Sequence, residues 1–143
     1  MASTIASQEV LPRGSMNHGP HVLIVSRDQM LLQSRALILG AYFQVEAAGR
    51  VPEAELAMVR ISFDLVVLCS SLSDSEYLKM IDMCSRQDPQ PKILVSNAAA
   101  GGGRRVGGDG AYTVDGGPFE LLKKTSEVTG FPLKSIGRAA QQS

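Results

Sequence analysis

The chain has 143 residues, of which 44% are hydrophobic and 20% are charged. This length fits one globular domain, and the composition argues against a wholly disordered chain. Fourteen basic residues balance 14 acidic ones. Proteins that grip a phosphate backbone are usually basic, so nucleic-acid binding is disfavoured. No apolar run reaches the roughly 18 residues that a membrane helix needs, so no membrane span is expected.

The inventory of metal-binding side chains is small. Cys69 and Cys84 are the only cysteines, and His18 and His21 are the only histidines. Because structural zinc is held by clustered cysteine and histidine ligands, no metal site is expected, and no other cofactor is predicted. The residues before Gly19 lack the charged and then apolar pattern of a secretory signal. These features favour a cytoplasmic protein with reduced thiols.

The N-terminal third begins with a leader and then becomes regular. Residues 1–20 are polar and non-periodic and are expected to be disordered. His21 to Ser26 is a short apolar run, typical of a strand buried on both faces. Asp28 can cap a helix from Gln29 to Gly40. The buried face of this helix is predicted to contain Leu31, Leu32, Ile38 and Leu39.

The alternation of strands and helices continues through the middle of the chain. Phe43 to Ala47 and Phe63 to Cys69 have strand patterns, and between them Pro52 opens a second helix. Ser73 or Asp74 can cap a third helix. The inner face of this third helix is predicted to contain Tyr77, Leu78, Ile81 and Cys84.

The composition shifts in the last third of the chain. Lys92 to Ser96 is a fourth strand, but residues 98–110 hold six of the 14 glycines. Glycine costs about 1 kcal/mol per helix position relative to alanine, so a helix there is expected to be short or missing. Ala111 to Val114 is a fifth strand, and Pro118 to Thr129 a last helix. Residues 131–143 are expected to be a flexible tail.

This order predicts one α/β domain over residues 21–130, with a five-stranded parallel sheet and helices on both faces. In such doubly wound folds, ligands bind at the carboxyl ends of the strands. The candidate site residues are therefore those that end the predicted strands or follow them directly. They are Ser26, Arg27, Cys69, Ser96, Asn97 and Asp115.

Four segments at these strand ends resemble the receiver domain of two-component response regulators. His21 to Asp28 resembles the first receiver strand, Phe63 to Cys69 the third and Lys92 to Ser96 the fourth. Gly108 to Asp115 is similar to the segment that leads to the family's lysine. The resemblance covers about residues 21–130. It implies a chemotaxis-regulator-like, flavodoxin-like fold and a non-enzymatic role in phosphorelay signal transduction.

The residues at the family's chemical positions depart from the receiver pattern. The paired acids that hold Mg²⁺ in the family fall on Ser26 and Arg27, although Mg²⁺ prefers oxygen ligands. The phosphoacceptor aspartate falls on Cys69, whose thiol forms no acyl phosphate. The family's lysine falls on Asp115, a carboxylate that would repel a phosphoryl group. The chain is therefore interpreted as a degenerate receiver, or pseudo-receiver, that is not phosphorylated on aspartate.

Two positions match the family and one surface is implied by it. Ser96 stands at the family's hydroxyl position, and Tyr112 at its switch aromatic. Family members dock partners or dimerise through the face made by their fourth helix, fifth strand and fifth helix, which Tyr112, Lys123 and Lys124 would border. With only 13 residues after residue 130, a stand-alone module that binds a signalling protein or forms a homodimer is expected.

Two further hypotheses concern the pocket. Arg27 replaces an acid and Asp115 replaces a base, so the two are predicted to form a salt bridge across the pocket. The alternative function is a small-ligand or redox-thiol protein on a flavodoxin-like fold. It would use Cys69 as a reactive thiol, or the loop Gly101–Arg105 to bind an anion.

Overall fold

A computed structural model describes residues 19–97 and 111–133 of the chain. Within them, five strands form one parallel sheet with the order β2-β1-β3-β4-β5. The predicted α/β fold class is thereby confirmed. The strands are β1 His21–Val25, β2 Gln44–Ala48, β3 Leu65–Cys69, β4 Lys92–Asn97 and β5 Ala111–Asp115.

The described residues also contain four helices. They are α1 Gln29–Gly40, α2 Val51–Arg60, α3 Asp74–Ser85 and α4 Pro118–Thr129. The bounds of α1 and α4 are those predicted from the sequence. None of these helices combines the length and the apolar character that crossing a membrane requires. The predictions for residues 1–18, for the glycine-rich segment 98–110 and for residues 134–143 fall outside the described residues.

Each face of the sheet is covered by one pair of helices. The first buried cluster joins α2 and α3 to the sheet, through residues such as Ala54, Met80 and Leu68. The second joins α1 and α4 to the opposite face, through residues such as Leu39 and Leu121. Successive side chains of a strand point to opposite faces, so each central strand contributes to both layers. The result is a sheet buried on both sides, as its near-continuous apolar strands predict.

The buried face of α3 differs from the prediction at one residue. Leu78 was expected to face inwards, but 63% of it is exposed. Met80, Met83 and Cys84 are buried instead. At about 100° per residue, Leu78 lies about 160° around the helix from Met80, which places it on the solvent side.

The folded chain continues beyond Gly130, where α4 ends. Gly130 adopts a left-handed conformation with φ 76°, as a C-terminal glycine often does. After it, Phe131 and Leu133 contact the buried cluster under α1 and α4. The rings of Phe43 and Phe131 lie 5.5 Å apart, centroid to centroid. The first residues of the predicted C-terminal tail are thus part of the packed domain.

Candidate functional site

A row of three small polar side chains lies at the carboxyl edge of the sheet, on the face covered by α1 and α4. Cys69 pairs with Ser96 in the register of β3 and β4. Ser26 follows Val25, which pairs with Leu68, so Ser26 comes level with Cys69. At most 2% of each of the three residues is exposed. We call Ser26, Cys69 and Ser96 the polar row.

Arg35 of α1 lies against the polar row and is itself buried, with 3% of its surface exposed. Its Nη1 points at the sulfur of Cys69 from 4.0 Å, and its Nη2 at the carbonyl oxygen of Gly116 from 3.5 Å. Its Nε is buried and has no hydrogen-bond partner. In the ion pairs of the described residues, Arg35 has no carboxylate partner. Within the part of the chain that the structure describes, the site therefore contains a buried guanidinium that no carboxylate pairs with.

Arg35 was not among the predicted site residues, because the apolar pattern of α1 takes no account of a charged side chain. The buried residues of α1 are Leu32, Arg35 and Leu39. Arg35 stands three positions after Leu32 and four before Leu39, which is the spacing of one helix face. A charged residue at the centre of an apolar stripe was the available signal.

The turn that follows β5 brings the Gly116 carbonyl to Arg35. Gly116 has φ 111°, a conformation that favours glycine, and it connects β5 to α4. The backbone N–H of the next residue, Gly117, donates to Oε1 of Glu120 at 3.2 Å. The chain thereby reverses within two glycines, and α4 begins directly beside the pocket.

Cys69 is a buried thiol rather than an activated one. Burial raises the pKa of the Cys69 thiol, and the positive charge of Arg35 and a hydrogen bond with Ser26 only partly oppose this effect. Burial also raises the pKa of Cys84, to about 12. Reactive cysteines need a lowered pKa and access to solvent. The redox-thiol alternative therefore gains no support from the environment of Cys69.

The predicted salt bridge between Arg27 and Asp115 is wrong. Arg27 Nη1 pairs with Oε2 of Glu76 in α3 at 2.5 Å, and Asp115 accepts a hydrogen bond from Nδ2 of Asn97 at 3.1 Å. The strand order explains the failure. Two strands, β3 and β4, separate β1 from β5, which places their ends on the order of 14 Å apart. Arg27 reaches instead to α3, on the face away from the polar row.

The described residues around the polar row do not fit a divalent cation. Around the polar row, a cation would meet hydroxyls, a thiol and the Arg35 guanidinium. Asp28, the nearest acid along the chain, caps α1 by accepting from the N–H of Leu31 at 3.1 Å. Within residues 19–97 and 111–133, no cluster of three histidine, cysteine or acidic side chains is suited to holding a metal. Hard cations such as Mg²⁺ are bound through carboxylate oxygens, which this arrangement does not offer.

Of the remaining predicted residues, Tyr112 lies on β5 and is 40% exposed. Lys123 is exposed on α4, and Lys124 pairs with Glu127 at 3.6 Å. These side chains reach solvent, whereas those of the polar row are buried. The loop Gly101–Arg105 lies outside the described residues.

Comparison with solved structures identifies the fold. A CheY-like response regulator receiver domain protein from Methanospirillum hungatei superimposes with a TM-score of 0.62 at 23% identity, over 76% of this chain and 92% of its own. The chemotaxis response regulator CheY4 of Vibrio cholerae gives 0.62 at 18% identity, over 77% and 98%. The signal receiver domain of an HD domain-containing protein from Pseudomonas fluorescens gives 0.64 at 16% identity, over 78% and 94%. The chain has the receiver fold.

At these identities the likeness is one of fold. No protein-family model and no curated protein sequence matches the chain. In this receiver fold, the polar row and Arg35 occupy the carboxyl edge of the parallel sheet, where doubly wound folds bind ligands. The site thus lies at the predicted edge of the sheet, but it contains a buried guanidinium that was not predicted.

Proposed function

We propose that the chain is a receiver-like signalling module of the two-component, phosphorelay type that works without phosphorylation on aspartate. The observation that carries this proposal is the surroundings of Cys69, which stands at the family's phosphoacceptor position. A buried guanidinium points at its sulfur from 4.0 Å. A thiol accepts no phosphoryl group as an acyl phosphate, and a fixed positive charge at this distance opposes the binding of Mg²⁺.

Titration with beryllofluoride and Mg²⁺, and then with acetyl phosphate, tests whether the chain lacks aspartate phosphorylation. Amide NMR shifts are recorded at each step. The expected result is the absence of saturable shifts at Cys69 and Ser96, while a receiver domain that retains its aspartate responds under the same conditions. Saturable shifts at either residue, or a phosphoryl adduct in the intact mass, would overturn the proposal.

The second part of the proposal is that the module is cytoplasmic and acts by binding another protein through its β5–α4 surface. We define this surface by Tyr112, Phe119 and Lys123. Phe119 is 67% exposed and Tyr112 40% exposed, and aromatic side chains are enriched at protein interfaces. The two free cysteines support a reducing compartment.

Affinity capture from cell extract tests this surface, with the wild-type chain and two variants as bait. Tyr112→Ser alters the β5–α4 surface, and Leu78→Ser changes an apolar side chain on α3 that is 63% exposed. We expect one protein to be retained by the wild type and by Leu78→Ser but lost with Tyr112→Ser. Equal retention by all three baits, or capture of no specific protein, would contradict the proposed surface.

A further inference from the structure

Among the described residues, Arg35 is the buried charged side chain that has a polar atom without a hydrogen-bond partner. It carries five N–H donors and a permanent positive charge. Its two contacts are long ones, to the Cys69 sulfur at 4.0 Å and the Gly116 carbonyl at 3.5 Å, and its Nε has none. Since 97% of the residue is buried, water does not replace the missing partners freely. A buried charge without compensation destabilises a fold.

The groups near Arg35 do not supply the missing negative charge. Burial favours the neutral thiol of Cys69 and raises its pKa. The Asp28 carboxylate is exposed and accepts from the N–H of Leu31 at the start of α1. Ser26 and Ser96 carry hydroxyls, which donate or accept hydrogen bonds but bear no charge. In the described ranges of the chain, the pocket therefore has one buried positive charge and several donors, and no carboxylate pairs with that charge. The charge of Asp28 acts on Cys69 only from the exposed start of α1.

We propose that Arg35 binds a small, planar, singly charged oxyanion, of the kind represented by nitrate, formate and bicarbonate, between the polar row and the turn at Gly116. One negative charge matches the single buried positive charge. A planar anion also matches the guanidinium, which presents parallel N–H donors that pair with two oxygens at once. The small side chains of the polar row border this position. The Ser26 hydroxyl already bonds with the backbone of Asp28 and with the hydroxyl of Ser71, so the hydroxyl of Ser96 is the one proposed to donate to the remaining oxygen.

This site goes beyond the proposed function because its ligand is bound and not transferred. No covalent bond forms, Cys69 remains a thiol and no divalent cation takes part. The two proposals also fail separately. Beryllofluoride with Mg²⁺ reports on phosphoryl chemistry, whereas the planar anion is tested in the absence of Mg²⁺.

Thermal unfolding in sodium nitrate, formate and bicarbonate tests the site, with sodium chloride used to hold the ionic strength constant. For the wild type we expect a saturable rise in Tm of about 5 °C at a tenfold excess over Kd. Amide NMR is expected to place the accompanying shifts at Cys69 and Gly116. A Tm that does not respond, or responds linearly without saturation, would overturn the proposal.

Three variants tie the response to Arg35. Arg35→Met removes the charge and keeps an unbranched side chain, and the rise in Tm should vanish. Arg35→Lys keeps the charge but loses the parallel donors, so at least a tenfold weaker Kd is expected. Arg60→Met removes an exposed guanidinium from α2 as the control and should leave the response unchanged. An equal response in Arg35→Met and the wild type would disprove the assignment.

The thiolate absorbance of Cys69 distinguishes a second way to neutralise Arg35. If the Cys69 thiolate were the counter-ion, a thiolate band would be present at neutral pH and would disappear in Arg35→Met. We expect no such band in either protein. A thiolate band in the wild type that is absent from Arg35→Met would overturn the anion site. It would show that the Cys69 thiolate is the counter-ion of Arg35.

Discussion

The sheet separates two buried layers, one under α2 and α3 and the other under α1 and α4. The first layer is formed by apolar side chains such as Leu68, Met80 and Cys84. The second contains the polar row together with Arg35, as well as the buried hydroxyl of Thr125, whose oxygen has no partner. Both buried side-chain atoms without a partner in the described residues therefore lie on α1 and α4. The layer under α2 and α3 is apolar and stabilises the fold. The layer under α1 and α4 contains a buried charge, which we expect to lower the stability of the fold.

Truncation in the α2–α3 layer is expected to have the largest effect. Leu68 on β3 is fully buried in that layer. Leu68→Ala should lower the free energy of unfolding by about 2–5 kcal/mol, because a cavity remains where the side chain was. Urea denaturation measures the change, and Leu56→Ala, at a residue 66% exposed on α2, provides the control. A loss below 1 kcal/mol for Leu68→Ala would mean that this layer is not tightly packed.

Substitution in the α1–α4 layer is expected to act in the opposite direction. Arg35→Met, measured by urea denaturation in chloride buffer, should raise the free energy of unfolding by about 1 kcal/mol or more. Replacing a poorly compensated buried charge with an apolar side chain removes its desolvation cost. Arg60→Met should stay within about 0.5 kcal/mol of the wild type.

A second variant keeps this comparison informative. Thr125→Val removes the other buried polar atom of the layer and is expected to be neutral or stabilising by up to about 1 kcal/mol. If Arg35→Met instead lost more than 1 kcal/mol while Thr125→Val remained neutral, Arg35 would have to be satisfied within the protein. The contrast between the two layers would then be lost.

The two layers also differ in how far the sequence predicts them. The bounds of α1 and α4 were predictable from local signals such as the capping residue Asp28 and the opening Pro118. The position of Cys69 at the end of a strand was predictable for the same reason. Arg35 was missed, since apolar periodicity ignores charged residues inside a stripe. The partner of Arg27 depends on strand order and on which face a side chain points to, which no local pattern contains.

A smaller effect than that of Leu68→Ala is expected at the start of α3, on the face away from the polar row. The hydroxyl of Ser73 accepts from the N–H of Glu76, and Oε1 of Glu76 accepts from the N–H of Ser73 at 2.8 Å. Ser73→Ala should cost about 1 kcal/mol, as the loss of a helix cap usually does. Thermal or urea unfolding measures it, with Lys79→Ala, at an exposed residue of the same helix, as the control.

The charge of Glu76 adds a pH dependence whose sign is fixed by this geometry. The hydrogen bond from the Ser73 backbone, aided by Arg27, lowers the pKa of Glu76 below its ordinary value. Its stabilising contribution is therefore complete above the pKa of the unfolded chain and is lost as the pH falls through the folded pKa.

Glu76→Gln keeps an oxygen acceptor for the cap but removes the charge. Its stability deficit should be largest near pH 7 and should shrink below about pH 4. Glu55→Gln, at an exposed glutamate of α2, serves as the control. The Arg27–Glu76 ion pair is partly exposed, and such pairs contribute little to the free energy of unfolding. Because salt screens exposed charges, the deficit of Glu76→Gln should be smaller in high salt. A deficit that grew as the pH was lowered would show that protonated Glu76 is the form that stabilises α3.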